Sequence, residues 1–265
     1  MVDISLIKGF FPAQIRDSQL LEKYMLKEYI QLTILDYLST TPYIRKLSFI
    51  GGTNLRLVRG IDRFSEDLDF DCRNLSKEEF SQMSINVIRY LGNNGYRVEL
   101  RDKENPKLTA FRSNMYFPEL LVELGLSGHK EERFLIKIEA QYQGVDYTPA
   151  VVNIRGCGYF FPFPVPSDSV MCAMKTTALL DRAKGRDFYD MMFLLAQSSP
   201  DYNFLAKRRG IGSPEELKTA IFKVLDRTDL NVKMRDFEHL LFNKNNSARI
   251  LKFKEFIVDV LGYNY

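Results

Sequence analysis

The chain has 265 residues, 45% hydrophobic and 27% charged, enough for one large domain or two of ordinary size with a real core; the absence of low-complexity stretches excludes a long disordered polypeptide. Its net charge of +3 is too mild to predict nucleic-acid binding by itself. Three cysteines, Cys72, Cys157 and Cys172, show no CxxC spacing, which argues against a disulfide framework or structural zinc, and two histidines, His129 and His239, leave carboxylates and lysines as the catalytic groups to look for.

In chain order, Leu20, Leu21, Tyr24, Met25, Leu32, Leu35 and Leu38 recur at helical spacing and predict a long helix that ends before Thr41-Pro42. Leu47 to Ile50 reads as a short buried strand running into Gly51-Gly52-Thr53, after which residues 54–58 begin a short helix. A second strand follows over 67–72. Ser76 and Glu79 form a capping-box signature, and Phe80, Met83, Val87 and Leu91 give the helix they open an apolar stripe. Residues 96–101, 108–116 and 133–142 are strand-like, and Pro162, Pro164 and Pro166 interrupt the chain before a region that reads as helical throughout. One of those helices is announced by Ser213, Pro214 and Glu216. The first ten residues carry no basic stretch leading into an apolar core, and no run of about 18 apolar residues occurs anywhere, so a cytoplasmic protein without a membrane partner is expected.

The chemistry concentrates in two blocks. Gly51-Gly52-Thr53 joins a strand to a helix start, a joint whose backbone N–H groups suit phosphate, although many such turns carry two glycines for geometry alone. Downstream, a period of two on the strand sends Asp67, Asp69 and Asp71 to one face and Leu68 and Phe70 to the other. Like charges on one face repel, whereas a divalent cation neutralises them and uses their hard oxygens; residues i and i+2 lie roughly 6.6 Å apart, within reach of two Mg²⁺ ions about 3.5–4 Å apart. A solvated acidic strand edge is the plainer alternative.

A glycine turn opening a helix, followed by an Asp-x-Asp strand, resembles the signature of the DNA polymerase beta-like nucleotidyltransferases. Ile50-Gly51-Gly52-Thr53-Asn54-Leu55-Arg56 and Arg63-Phe64-Ser65-Glu66-Asp67-Leu68-Asp69-Phe70 are similar, more narrowly, to the AbiEii toxins of type IV toxin–antitoxin systems, to which the MenT enzymes are related. Two later blocks follow in the order that family shows. Lys175, Ala178, Leu179 and Arg182 place two cations on one helix face, and Arg186-Asp187-Phe188-Tyr189-Asp190 reads as the family's RDxxD; taken alone, Lys175 is an ordinary surface lysine and Asp187 an ordinary cap.

The resemblance implies an α+β fold: a nucleotidyltransferase domain over residues 1–164, with a mixed β-sheet flanked by helices, and a helical domain over 165–265 completing the active-site cleft. It implies Mg²⁺, with a two-ion site, held by Asp67 and Asp69, and an NTP bound by Gly51, Gly52, Thr53, Arg56, Ser65, Lys175, Arg182 and Asp190. Asp67, Asp69, Lys175, Asp187 and Glu139 are the catalytic set, with Asp187 before Glu139 as the base. Lys137 and Glu139 share a strand face, so a cross-strand ion pair stands beside catalysis as a reading of Glu139. Ser65, two residues before Asp67, is expected near the transferred phosphate, as a candidate site of modification. The implied acceptor is RNA, foremost the tRNA 3′ end, with blocked translation as the result, and the implied partner is an antitoxin encoded nearby without need of stable contact. A small-molecule or protein nucleotidyltransferase, and a nucleotide-binding module without catalysis, remain as alternatives.

Overall fold

The structure, a computed structural model, describes residues 3–101 and 110–262. They are mixed α and β, and they fall into two units. The first takes the chain up to Gly60, Phe64–Gln143 and Ala150–Val165; the second takes Ile61–Arg63, Gly144–Pro149 and the chain from Pro166 onward.

In the first unit a five-stranded mixed sheet runs in the order β1-β2-β5-β4-β3, with β1 Leu47–Ile50, β2 Asp67–Cys72, β3 Glu99–Leu100, β4 Phe111–Tyr116 and β5 Leu135–Ala140. Strands β1 and β2 are antiparallel, β2 and β5 parallel, and β4 is antiparallel to both β3 and β5. The apolar side chains of β1 and β2 point into the core, where Phe49, Phe70 and Phe163 meet at ring separations of 5.8–6.0 Å. The long helix Glu22–Ser39 packs nearby and buries more than one stripe: Met25, Leu26, Ile30, Leu32, Ile34, Leu35 and Leu38 are all inside. Leu20, expected on that stripe, precedes the helix and is exposed. Ser76 and Glu79 close their capping box at the head of helix Lys77–Asn93, whose Phe80, Met83, Val87 and Leu91 are buried.

Two strand expectations shift. The strand expected over 96–101 is reduced to Glu99–Leu100, and the first part of the one expected over 108–116 falls on residues outside those described. The region around the prolines is a β-hairpin, β6 Ala150–Gly156 and β7 Tyr159–Val165, closed by Cys157-Gly158. Pro162 and Pro164 sit two residues apart on a two-stranded ribbon, where alternate residues direct their N–H away from the partner, so neither removes a ladder bond.

The second unit is helical. Helices Asp168–Arg182 and Gly185–Leu195 pack together, with Tyr202–Arg209, Pro214–Leu225, Leu230–Arg235 and Phe253–Gly262 following. Phe188 meets Phe253 edge to face at 5.0 Å in the core. Ser213 caps Pro214–Leu225 through the Glu216 N–H, while the Glu216 carboxylate turns to the N–H of Gly212 instead of closing the box on Ser213. The chain reverses tightly before Gly185, whose N–H donates to both carboxylate oxygens of Asp236 at 3.1 Å. A Cβ at Gly185 would lie 1.9 Å from the Lys233 carbonyl oxygen, so only glycine fits at the head of the RDxxD helix.

Candidate active site

In the first unit, β1 passes directly into helix Gly51–Leu57 without an intervening loop, three residues earlier than the sequence suggests. Gly51 has φ +81, and a Cβ there would stand 2.1 Å from Asp69 Oδ2. The missing side chain is therefore the space that the Asp69 carboxylate uses. Ile50, in the N-cap position, offers no side-chain oxygen to the helix's first N–H groups. The Thr53 hydroxyl donates to the backbone carbonyl of Asp67 and the Asn54 amide donates to the Phe49 carbonyl at 2.6 Å, so the glycine corner and the acidic strand are fastened together.

On β2 the alternation is as expected for Leu68 and Phe70, both in the core, and for Asp67 and Asp69, both half-buried on the other face. Asp71 differs. It is buried and accepts the backbone N–H of Gln143 at 2.8 Å, which makes it a fastening for the chain after β5. Register sets the neighbours: Asp67 lies opposite Lys137 and Asp69 opposite Glu139 on β5, and Glu139 lies opposite Arg112 on β4. Lys137 Nζ is 3.0 Å from Asp67 Oδ2 and 3.3 Å from Glu139 Oε1, and Arg112 donates to the same Glu139 oxygen. Partial burial alone would lower the Lys137 pKa, but Asp67, Glu139 and Asp69 together hold it above the ordinary lysine value.

Two residues expected at the nucleotide have inward partners. Arg56 forks onto Glu28 at 2.8 and 3.1 Å, with its guanidinium over the Phe64 ring. Burial raises the Glu28 pKa despite that arginine. Ser65 is buried, and its carbonyl accepts from Gln31 at 3.2 Å.

In the second unit, Lys175, Asp190 and Arg63 form one network. Asp190 is fully buried; Arg63 Nε and Nη2 reach its two oxygens at 2.8 Å, and Lys175 Nζ reaches Oδ2 at 2.8 Å. Burial works to raise the Asp190 pKa, yet the charges of Arg63 and Lys175 outweigh it and hold the carboxyl below its ordinary range. Asp187, also fully buried, receives Arg182 Nε at 3.0 Å and Nη2 at 2.8 Å, and accepts the Lys184 N–H at 3.1 Å. Arg63, absent from the expected set, is the counterpart that sequence reasoning missed. It opens the Arg63-to-Phe70 block, but nothing local pairs it with an aspartate 127 residues away.

The sequence matches, over residues 33–257, the family described as nucleotidyl transferase AbiEii toxin, type IV TA system. The chain belongs to the AbiEii family. As an AbiEii protein it is a nucleotidyltransferase of a toxin–antitoxin system. Several solved structures share its fold. MenT4, a nucleotidyltransferase toxin from Mycobacterium tuberculosis, superposes with a TM-score of 0.59 at 17% identity, covering 98% of this chain and 90% of that one. JHP933 from Helicobacter pylori gives 0.53 at 18% identity, over 91% of this chain and 93% of that one. Among curated proteins, none matches this sequence.

The residues of this AbiEii chain fit a small hard cation. Asp67 and Asp69 supply carboxylate oxygens beside a corner from which a side chain is excluded, and Mg²⁺ is commonly held by one or two carboxylates together with phosphate oxygens and water. No group of three or more His, Cys, Asp or Glu is gathered for a metal among the described residues. Burial pushes the Cys72 thiol up to about 11 and those of Cys157 and Cys172 up to about 12. No helix among the described residues is long and apolar enough to cross a membrane.

Proposed function

We propose that this nucleotidyltransferase moves a nucleotide from an NTP to an RNA acceptor, foremost the 3′ end of tRNA, and that its toxicity follows from blocked translation. The observation that carries the transfer reading is the Asp67–Asp69 pair, half-exposed on β2 against the side-chain-free corner at Gly51. When bound, Mg²⁺ supplies charge neutralisation at the phosphates and lowers the cost of the negative charge that develops in transfer. Asp67 and Asp69 are its ligands in this reading, and Gly51, Gly52 and Thr53 take the phosphate oxygens through backbone N–H groups, the Thr53 hydroxyl being committed to Asp67.

Lys175 and Arg182 are assigned the charge of the departing pyrophosphate. Asp190 and Arg63 act by holding the Lys175 ammonium, and Asp187 by holding the Arg182 guanidinium. With both its oxygens engaged, Asp187 is better suited to that holding role than to taking a proton, whereas the contacts of Glu139 with Lys137 and Arg112 both fall on Oε1, which moves Glu139, half-exposed on β5 opposite Asp69, ahead as the base. Arg56 and Ser65, tied to Glu28 and Gln31, are given a supporting role in place of nucleotide contact.

The RNA acceptor rests on family membership, with support from helix Tyr202–Arg209. It ends in the exposed residues Lys207, Arg208 and Arg209, next to a groove of about 650 Å³ that also carries Lys223 and Arg227. Glu215 and Glu216 share that groove and temper its charge. The test is incubation of the protein with total RNA, Mg²⁺ and each labelled NTP in turn. Label at RNA 3′ ends supports the reading. Label in protein alone replaces it with a protein-modifying enzyme, and nucleotide binding without any transfer replaces it with a binding module. An antitoxin that relieves toxicity without co-purifying completes the expectation of a partner needing no stable contact.

A further inference from the structure

Lys137 has no part in the transfer chemistry described above, yet it is the cation nearest the first aspartate of the pair. Its Nζ lies 3.0 Å from Asp67 Oδ2 and 3.3 Å from Glu139 Oε1. The placement is fixed by strand register, since β2 and β5 run parallel with Asp67 opposite Lys137 and Asp69 opposite Glu139. Arg112, opposite Glu139 on β4, extends the row to Arg112, Glu139, Lys137 and Asp67, alternating in sign across three strands. A partly exposed row of this kind usually contributes little to stability. Here one end of it is a carboxylate that the transfer reading gives to a metal.

We propose that Lys137 is a resident counter-ion of the aspartate pair, which a divalent cation must displace from Asp67 in order to bind. Two carboxylates two residues apart on one strand face repel, and the ammonium relieves that repulsion and fixes the Asp67 side chain while the site holds no metal. A divalent cation arriving at Asp67 meets a positive charge already within 3.0 Å of the same oxygen. Glu139, 3.3 Å from Nζ, is the acceptor to which the ammonium retreats. The consequence is a site that holds a bare cation weakly and fills when nucleotide phosphates bring further negative charge. This inference rests on the metal assignment made above.

The test uses the full chain and Mn²⁺ alone as probe, without nucleotide, with binding followed by calorimetry and by the electron paramagnetic resonance signal of free Mn²⁺. Lys137→Met should bind Mn²⁺ at least about tenfold more tightly than wild type, because the competing charge is gone, and Asp67→Asn should lose the binding. A purely structural lysine would leave affinity unchanged or weaken it. Equal or weaker Mn²⁺ binding in a folded Lys137→Met, with binding still lost in Asp67→Asn, overturns the counter-ion role alone. Wild-type binding in Asp67→Asn overturns the metal assignment, and the inference with it. If Lys137→Met does not fold, Lys137→Gln keeps a donor for Asp67 without the charge and should show the same tightening; no tightening there overturns the proposal.

Discussion

The two units treat their carboxylates in opposite ways. On β2, Asp67 and Asp69 are half-exposed and their strand neighbours include a lysine, a mobile type of partner that a stronger cation can replace. On helix Gly185–Leu195, Asp187 and Asp190 are fully buried and gripped by forked arginines. A carboxylate left within reach of solvent can exchange its partner, whereas one sealed under a bidentate arginine serves to hold that arginine and whatever shares it. In the proposed mechanism the contrast separates acids that would meet the ligand from acids that orient the groups that would.

Asp67→Asn should give the largest effect: nucleotide transfer falls on the order of 10³-fold, with the thermal unfolding midpoint little changed, read by labelled-NTP incorporation and by circular dichroism. Retained transfer would erase the distinction between the two regions. Asp190→Asn should act mainly on stability, lowering it by about 3–5 kcal/mol in urea unfolding, because Arg63 and Lys175 are left with uncompensated buried charge. Its pH dependence sharpens the point. The Asp190 pKa in the folded state lies below its ordinary value of 3.8, so its contribution to stability is complete above that value and is lost as pH falls through the depressed one. Wild-type stability measured below pH 3.8 should therefore drop by more than that of Asp190→Asn.

Asp71→Asn tests the comparison within a single strand. It should cost about 1.5–3 kcal/mol through the weakened bond from the Gln143 N–H, while transfer per folded molecule persists. Glu139→Gln should cost stability least, about 1 kcal/mol or less, since its pairs with Lys137 and Arg112 are partly exposed. A loss of transfer in Glu139→Gln far greater than in Asp187→Asn, compared at equal folded fraction, identifies Glu139 as the base; the reverse returns that role to Asp187.

Much of the first unit was legible because its signals are local. The strands at Leu47–Ile50 and Asp67–Cys72 and the Ser76–Glu79 capping box each depend on residues within a few positions of one another. The β6–β7 hairpin was not legible, since prolines read as breakers unless the ribbon is known to leave their N–H side unpaired. Asp71 shares the period of Asp67 and Asp69, and only the path of the chain near Gln143 separates it from them. The Arg63–Asp190 fork joins segments 127 residues apart, a distance over which no spacing rule operates. For Lys137 and Glu139 the sequence could place both on one strand face, but their cross-strand partners Asp67 and Arg112 depend on sheet register.

The corner at Gly51 leaves no room for drift. One added methyl group would have to occupy the place of the Asp69 oxygen, on a backbone that already favours glycine. In the proposed mechanism a single glycine-to-alanine change at this corner would therefore silence transfer indirectly, by pushing the Asp69 carboxylate out of its place without touching the acid itself.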